Sequence, residues 1–276
     1  MGLFRTMRQI IFKHSPSLET GYRAYRQHQQ LSRCRLGKTP FGFMFGGGNA
    51  DMQAGSFEQE EVQLVQEYLQ DASVLVDIGA NVGYFSCIGR HMGEKVVAIE
   101  PCTQNLDFLF MNLDANGWSD VEVIPLCMGD KVGFTTIYGW GTGASIVKSW
   151  AGWGESQQSV VPITTLDILL GDRFQEEQIV IKVDVEGVEK SVLRGAQTTL
   201  RRSPSPIWLM EICFTENYPN GMNPDFLEIF RVFWEQGYVA RTVGKEQRTV
   251  TVQDVERWMQ RKYRDFGYVD YLFEKP

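Results

Sequence analysis

Short apolar runs punctuate this chain at intervals set by longer segments of helical periodicity. Val74–Asp77, Val96–Glu100, Val121–Leu126, Ile179–Asp184 and Ile207–Glu211 each hold consecutive β-branched or large apolar residues. Such runs predict strands buried on both faces. Between them, apolar residues recur every three or four positions. Val62, Val65 and Leu69 share one helix face, as do Phe85, Ile88 and Met92. Leu106, Leu109, Phe110 and Leu113 mark another helix, and Val188, Val192, Ala196 and Leu200 a further one. Ser56 with Gln59 reads as a capping box, Thr103 as a cap, Asn116-Gly117 as a stop and Asn223-Pro224 as a start. Two late strands, Tyr238–Val243 and Asp270–Phe273, complete the pattern. Strands alternating with helices predict an α/β fold, a mostly parallel sheet with helices on both faces.

Two stretches break the alternation. Residues 39–56 hold Gly46-Gly47-Gly48-Asn49 beside Phe43-Met44-Phe45 and predict a short hairpin. The expected division is a basic N-terminal arm with this hairpin over residues 1–55, then the main domain over residues 56–276. Residues 139–159 combine Gly139, Gly141, Gly143, Gly152 and Gly154 with Trp140, Trp150 and Trp153, between expected strands Phe134–Tyr138 and Val160–Thr165. A long glycine-rich loop inside a domain is often functional. Its flat aromatic faces suit an acceptor ring, so Trp140, Trp150 and Trp153 are the expected substrate-binding residues of a closing lid.

Charge narrows the picture. The total is −7, yet residues 1–38 carry eight basic side chains against Glu19, a local +7 that leaves −14 on the rest. An acidic body is a poor track for phosphates, so no nucleic acid is expected as partner. The arm suits a solvated extension or contact with an anionic membrane surface. The five cysteines (Cys34, Cys87, Cys102, Cys127 and Cys213) are scattered and odd in number, without C-x-x-C spacing. That pattern and the lack of a spanning or secretory segment fit a reduced cytoplasmic protein, with any membrane contact expected at the periphery.

Ligands of open parallel sheets sit beyond the carboxyl ends of the strands. The first strand runs into Asp77-Ile78-Gly79-Ala80-Asn81-Val82-Gly83, where Asp77, Gly79, Asn81 and Gly83 form the expected cofactor turn. The spacing is not the G-x-G-x-x-G dinucleotide fingerprint, which argues against a nicotinamide oxidoreductase. Glu100 ends the second strand and can accept both hydroxyls of a ribose. Asp130 follows the third and can accept from an adenine amine.

Together these segments resemble an FkbM-type methyltransferase. The resemblance rests on the cofactor turn, Glu100-Pro101, Thr165-Leu166-Asp167, Lys182-Val183-Asp184-Val185-Glu186-Gly187-Val188-Glu189 and Leu193-Arg194-Gly195-Ala196. It implies a Rossmann-like fold with about seven strands and S-adenosyl-L-methionine (SAM) as cofactor. It further implies methyl transfer most often to a hydroxyl of a sugar or natural product. The product would be S-adenosyl-L-homocysteine (SAH).

A hydroxyl acceptor calls for a base. His14 and His28 lie in the arm and His91 sits late in its helix, so Asp184 and Glu186 are the expected catalytic residues. The alternative roles are a contact to the methionine amine for Asp184 and a cap on the next helix for Glu186. Lys182 and Glu211 are expected to pair across adjacent strands. No metal site is expected; magnesium held by Asp184, Glu186 and Glu211 is an alternative that no spacing demands. An N- or carboxyl-methyltransferase and a non-catalytic SAM-binding protein remain as alternative functions. Oligomeric state is not legible.

Overall fold

The computed structural model describes Tyr22, Tyr25 and residues 28–139, 141–152 and 158–276. His14, Trp140, Trp153 and most of the basic arm lie outside the described residues. Strands β1 (Gly37–Lys38) and β2 (Met44–Phe45) form the antiparallel hairpin. Helices α1 (Ala50–Ala54) and α2 (Gln59–Tyr68) lead into β3 (Val74–Ile78). Then come α3 (Tyr84–His91), β4 (Lys95–Ile99), α4 (Thr103–Ala115) and β5 (Glu122–Ile124). A side sheet uses β6 (Cys127–Met128), β7 (Gly133–Tyr138) and β8 (Gln158–Thr164), in the order β6-β8-β7. The main fold resumes with α5 (Leu166–Leu170), β9 (Ile179–Val183), α6 (Glu189–Arg194) and β10 (Ile207–Glu211). Helix α7 (Phe226–Glu235), β11 (Val239–Thr242), β12 (Thr249–Val250), α8 (Val252–Arg261) and β13 (Asp270–Glu274) finish it.

The main sheet has eight strands in the order β12-β11-β13-β10-β9-β3-β4-β5. The five from β10 to β5 run parallel, and β13, β11 and β12 extend them antiparallel. This is a Rossmann-like α/β fold. Alternate residues of each strand enter opposite cores, which is why the runs read as continuously apolar. Val74, Val76 and Ile78 join the core under α5–α8, with Phe230 and Trp258. Leu75 joins the other, under α2–α4, with Val62 and Leu109. The hairpin is part of that second core, since Phe43 and Phe45 are buried in it.

Several boundaries differ from the sequence expectation. Ser56 does not cap α2; it donates to Asp51 at 3.3 Å, because α1 ends at Gly55 and the chain must turn there. Glu58 stands at the cap position of α2 in the left-handed region, with φ 43° and no capping bond. Thr103 is already the first helical residue of α4, and α7 begins at Phe226, past Pro224. Helix α8 adds to the expected elements; Val252, Val255 and Trp258 recur at helical spacing, and Thr251 with Asp254 forms its capping box.

Candidate active site

Gly79 follows β3 at φ 85°, and a Cβ there would sit 1.8 Å from the carbonyl oxygen of Asp184. Only glycine permits the backbone after β3 to run this close to the end of β9. The result is an open cleft at the carboxyl ends of β3, β4 and β9.

Three predicted residues meet in its wall beyond β3 and β4: Gly79, Asn81 and Glu100. Glu100 is buried and accepts from the Asn81 amide at 2.8 Å and the Cys102 amide at 2.7 Å. Those bonds use one lone pair of each oxygen and leave others for a diol. Burial nevertheless pushes its carboxyl up to about 7. Asn81 is itself in the left-handed region (φ 51°), and its buried Oδ1 has no partner. An orphan acceptor and an aimed carboxylate fit a ligand that carries an ammonium and a ribose, as SAM does.

Asp77, Gly83 and Asp130 are not in this wall. Asp77 is buried below it, accepting from Ser86 Oγ at 2.6 Å and in register with Lys182 on β9. Gly83 begins α3 in the left-handed region, against Leu109. Asp130 is exposed and lies 3.9 Å from Arg194 across the surface. Here the wall is instead made by Leu126, Cys127 and Met128, with Asn105 and Ile137 nearby. These residues carry no motif. Only their place just after β5 would have pointed to them.

Beyond β9 the chain forms the opposite wall with Asp184, Val185 and Glu186. Glu186 takes φ 56°, an unusual strain for a non-glycine residue. Its backbone carbonyl accepts from Ser145 Oγ at 2.5 Å. Its carboxylate accepts from Trp150 Nε1 at 2.6 Å. Glu186 therefore makes no capping bond to α6. Glu189 instead accepts from the Gly187 amide at 2.8 Å. Burial, reinforced by Asp184, pushes the Glu186 carboxyl up to about 7.

The lid reading sets Trp150 against an acceptor, but the structure puts it behind the wall. It is fully buried, packed edge-on to Tyr218 at 4.7 Å and pressed against Gly187, where a Cβ would lie 2.4 Å from the indole. Its indole N–H needs an acceptor in the interior, and Glu186 supplies it. Ser145, from the same loop, lines the cleft. Of the histidines, His28 and His91 are exposed, and His91 packs beside Phe43 and Trp118.

The expected Lys182–Glu211 pair is absent. Lys182 is buried and donates to Asp184 at 3.3 Å. The parallel register sets it beside Asp77 and Leu209, so its ammonium falls among Asp77, Asp184, Glu58 and Asp270. Glu211 accepts from the Cys213 thiol at 3.0 Å, and burial raises its carboxyl well above the usual range. Glu58, at the cap position of α2, carries no sequence signal of this role; burial pushes it up to about 7. Among the described residues, no three such side chains converge as metal ligands.

Comparison with known proteins decides the family. The profile described as "Methyltransferase FkbM domain" matches residues 77–240, more than half of the chain. The chain belongs to this family. The match begins at Asp77 and runs through the whole cleft. A curated relative, the hexuronic acid methyltransferase AglP of Haloferax volcanii, is 31% identical over 150 residues, 52% of this chain. That alignment spans 58% of the relative's length. Among solved structures, WbdD aligns with a TM-score of 0.48 and 13% identity, over 90% of this chain and 46% of that one. Precorrin-6y C5,15-methyltransferase of Geobacter metallireducens gives 0.40 and 12%, over 79% and 88%. No helix among the described residues is long and apolar enough to cross a membrane.

Proposed function

We propose that this protein transfers the methyl group of SAM to a hydroxyl of a glycan or similar small molecule, with Glu186 as general base. The carrying observation is a cleft-wall carboxylate, pushed up to about 7, whose orientation is set by an indole N–H at 2.6 Å. A base is most effective when its pKa lies near the working pH. The hexuronic acid methyltransferase relative supports a sugar acceptor.

In this reading the cofactor supplies an electrophilic methyl on a positively charged sulfur. The protein's part is to hold the ribose at Glu100, hold the ammonium at Asn81 Oδ1, and set an acceptor hydroxyl between the methyl and Glu186. Such alignment can contribute several kcal/mol toward the barrier. Glu186 then takes the hydroxyl proton as the new C–O bond forms.

The test is transfer from methyl-labelled SAM to a panel of methyl glycosides and uronates, followed by mild alkali. A hydroxyl acceptor gives an alkali-stable ether whose formation falls about 10²–10⁴-fold in Glu186→Gln. Alkali-labile label, or unchanged transfer by Glu186→Gln, overturns the proposal.

A further inference from the structure

The charge distribution of the cleft carries a consequence for the cofactor cycle. Its described wall includes three carboxylates, Glu100, Asp184 and Glu186, and no Lys, Arg or His. The nearest buried cation, Lys182, already donates to Asp184 and is flanked by Asp77, Glu58 and Asp270. SAM and SAH share an adenosine, an ammonium and a carboxylate. They differ only in the sulfur, which is a cation in SAM and a neutral thioether in SAH.

Topology fixes which carboxylates meet that sulfur. Strands β4, β3 and β9 are neighbours in that order, about 4.8 Å apart. Glu100 ends β4, Gly79 ends β3, and Asp184 with Glu186 ends β9. With the adenine beyond β5 and the ribose at Glu100, the sulfur would lie over β3, facing Asp184 and Glu186 beyond β9. We propose that Asp184 and Glu186 make this cleft a charge filter, holding the sulfonium cofactor more tightly than its neutral product. The inference rests on the cleft being the SAM site. It provides for product release without a separate device, because loss of the methyl removes the charge these carboxylates hold.

The same geometry links cofactor binding to protons. Glu186 is faced by Asp184 and Lys182 from β9, Glu189 from α6, Glu211 and Cys213 from the end of β10, and Trp150 from the loop. Acids dominate this set, and with burial they hold part of the Glu186 population protonated near pH 7. A cation beside it favours the ionised form, so binding of SAM expels more protons than binding of SAH, to which only Glu100 at the shared ribose responds.

Calorimetric titration tests this with three probes on the cofactor-free protein: SAM, SAH and sinefungin, which carries an amine cation in place of the methylsulfonium. At pH 8, SAM and sinefungin are expected to bind about ten-fold more tightly than SAH, or better. Glu186→Gln should shrink that ratio through SAM, leaving SAH within about two-fold. Between pH 6 and 8 the affinity for SAM should rise more steeply than that for SAH, since ionisation of Glu100 at the shared ribose acts on both and ionisation of Glu186 acts on SAM alone. SAH binding as tightly as SAM at pH 8 overturns the inference and leaves the methyltransferase reading standing. Failure of all three probes to bind overturns both.

Discussion

At the scale of single residues, the proposed base Glu186 is paired with Trp150. The indole N–H stabilises the ionised carboxylate and so opposes the rise that burial imposes. Trp150→Phe keeps most of the ring packing against Gly187 and Tyr218 but removes the donor. The Glu186 carboxyl should then climb further. The acid limb of kcat/KM against pH should move upward by about one pH unit. An unmoved limb would show that another group titrates. The sequence made Glu186 visible through its motif but hid its partner. Trp150 lies 36 positions away, in a loop whose tryptophans and glycines suggested an exposed lid. What sequence could not carry is direction: Ala151 at φ 48° and the bond from its amide to the Asn217 carbonyl turn the segment inward.

Among elements, the hairpin and α4 brace the cofactor turn. Asn112 on α4 is fully buried; it accepts from the Gly46 amide at 2.8 Å and donates to the carbonyls of Gly46 at 3.0 Å and Val82 at 2.9 Å. Asn116 repeats the arrangement one turn later on Met44, with both bonds at 2.7 Å. These asparagine side chains act as a strand edge for the hairpin. Asn112→Ala leaves up to three buried backbone groups unpaired, at roughly 1–3 kcal/mol for each. Urea unfolding should show a loss of at least about 2 kcal/mol, and SAH binding should weaken because Val82 belongs to the turn. An unchanged midpoint would mean that water replaces the amide. Elements set by an unbroken apolar run, such as β3, β9 and β10, were legible to within a residue or two. The strands β1 and β12, two residues each, were not. The pairing of those two strands comes from their partner strands, and two residues carry no periodicity; α8 does place Val252, Val255 and Trp258 at helical spacing.

The whole molecule buries carboxyls in numbers that bear on its stability. Glu58, Glu100, Glu186 and Glu189 are each pushed up from 4.5 to about 7, with burial the leading cause. Between those values the folded chain holds more protons than the unfolded chain. The stability they contribute is fully present below about pH 4.5 and is lost as pH rises through 7. Asp254 and Glu216 are lowered instead, so their contribution disappears only in stronger acid. The cofactor-free protein should melt at least about 3 °C higher at pH 5.5 than at pH 8, measured by scanning calorimetry. A melting point that climbs over that range would mean these groups are not buried as described. The sheet order has one more consequence, in time. Strand β3 has its partner on one side, β9, only after the side sheet between them has been made. On a ribosome adding roughly 5–20 residues per second, residues 74–78 wait about 5–20 s for residues 179–183. Through that interval the nascent cofactor turn is held on one flank alone, with an apolar strand edge open to any chaperone that reads one.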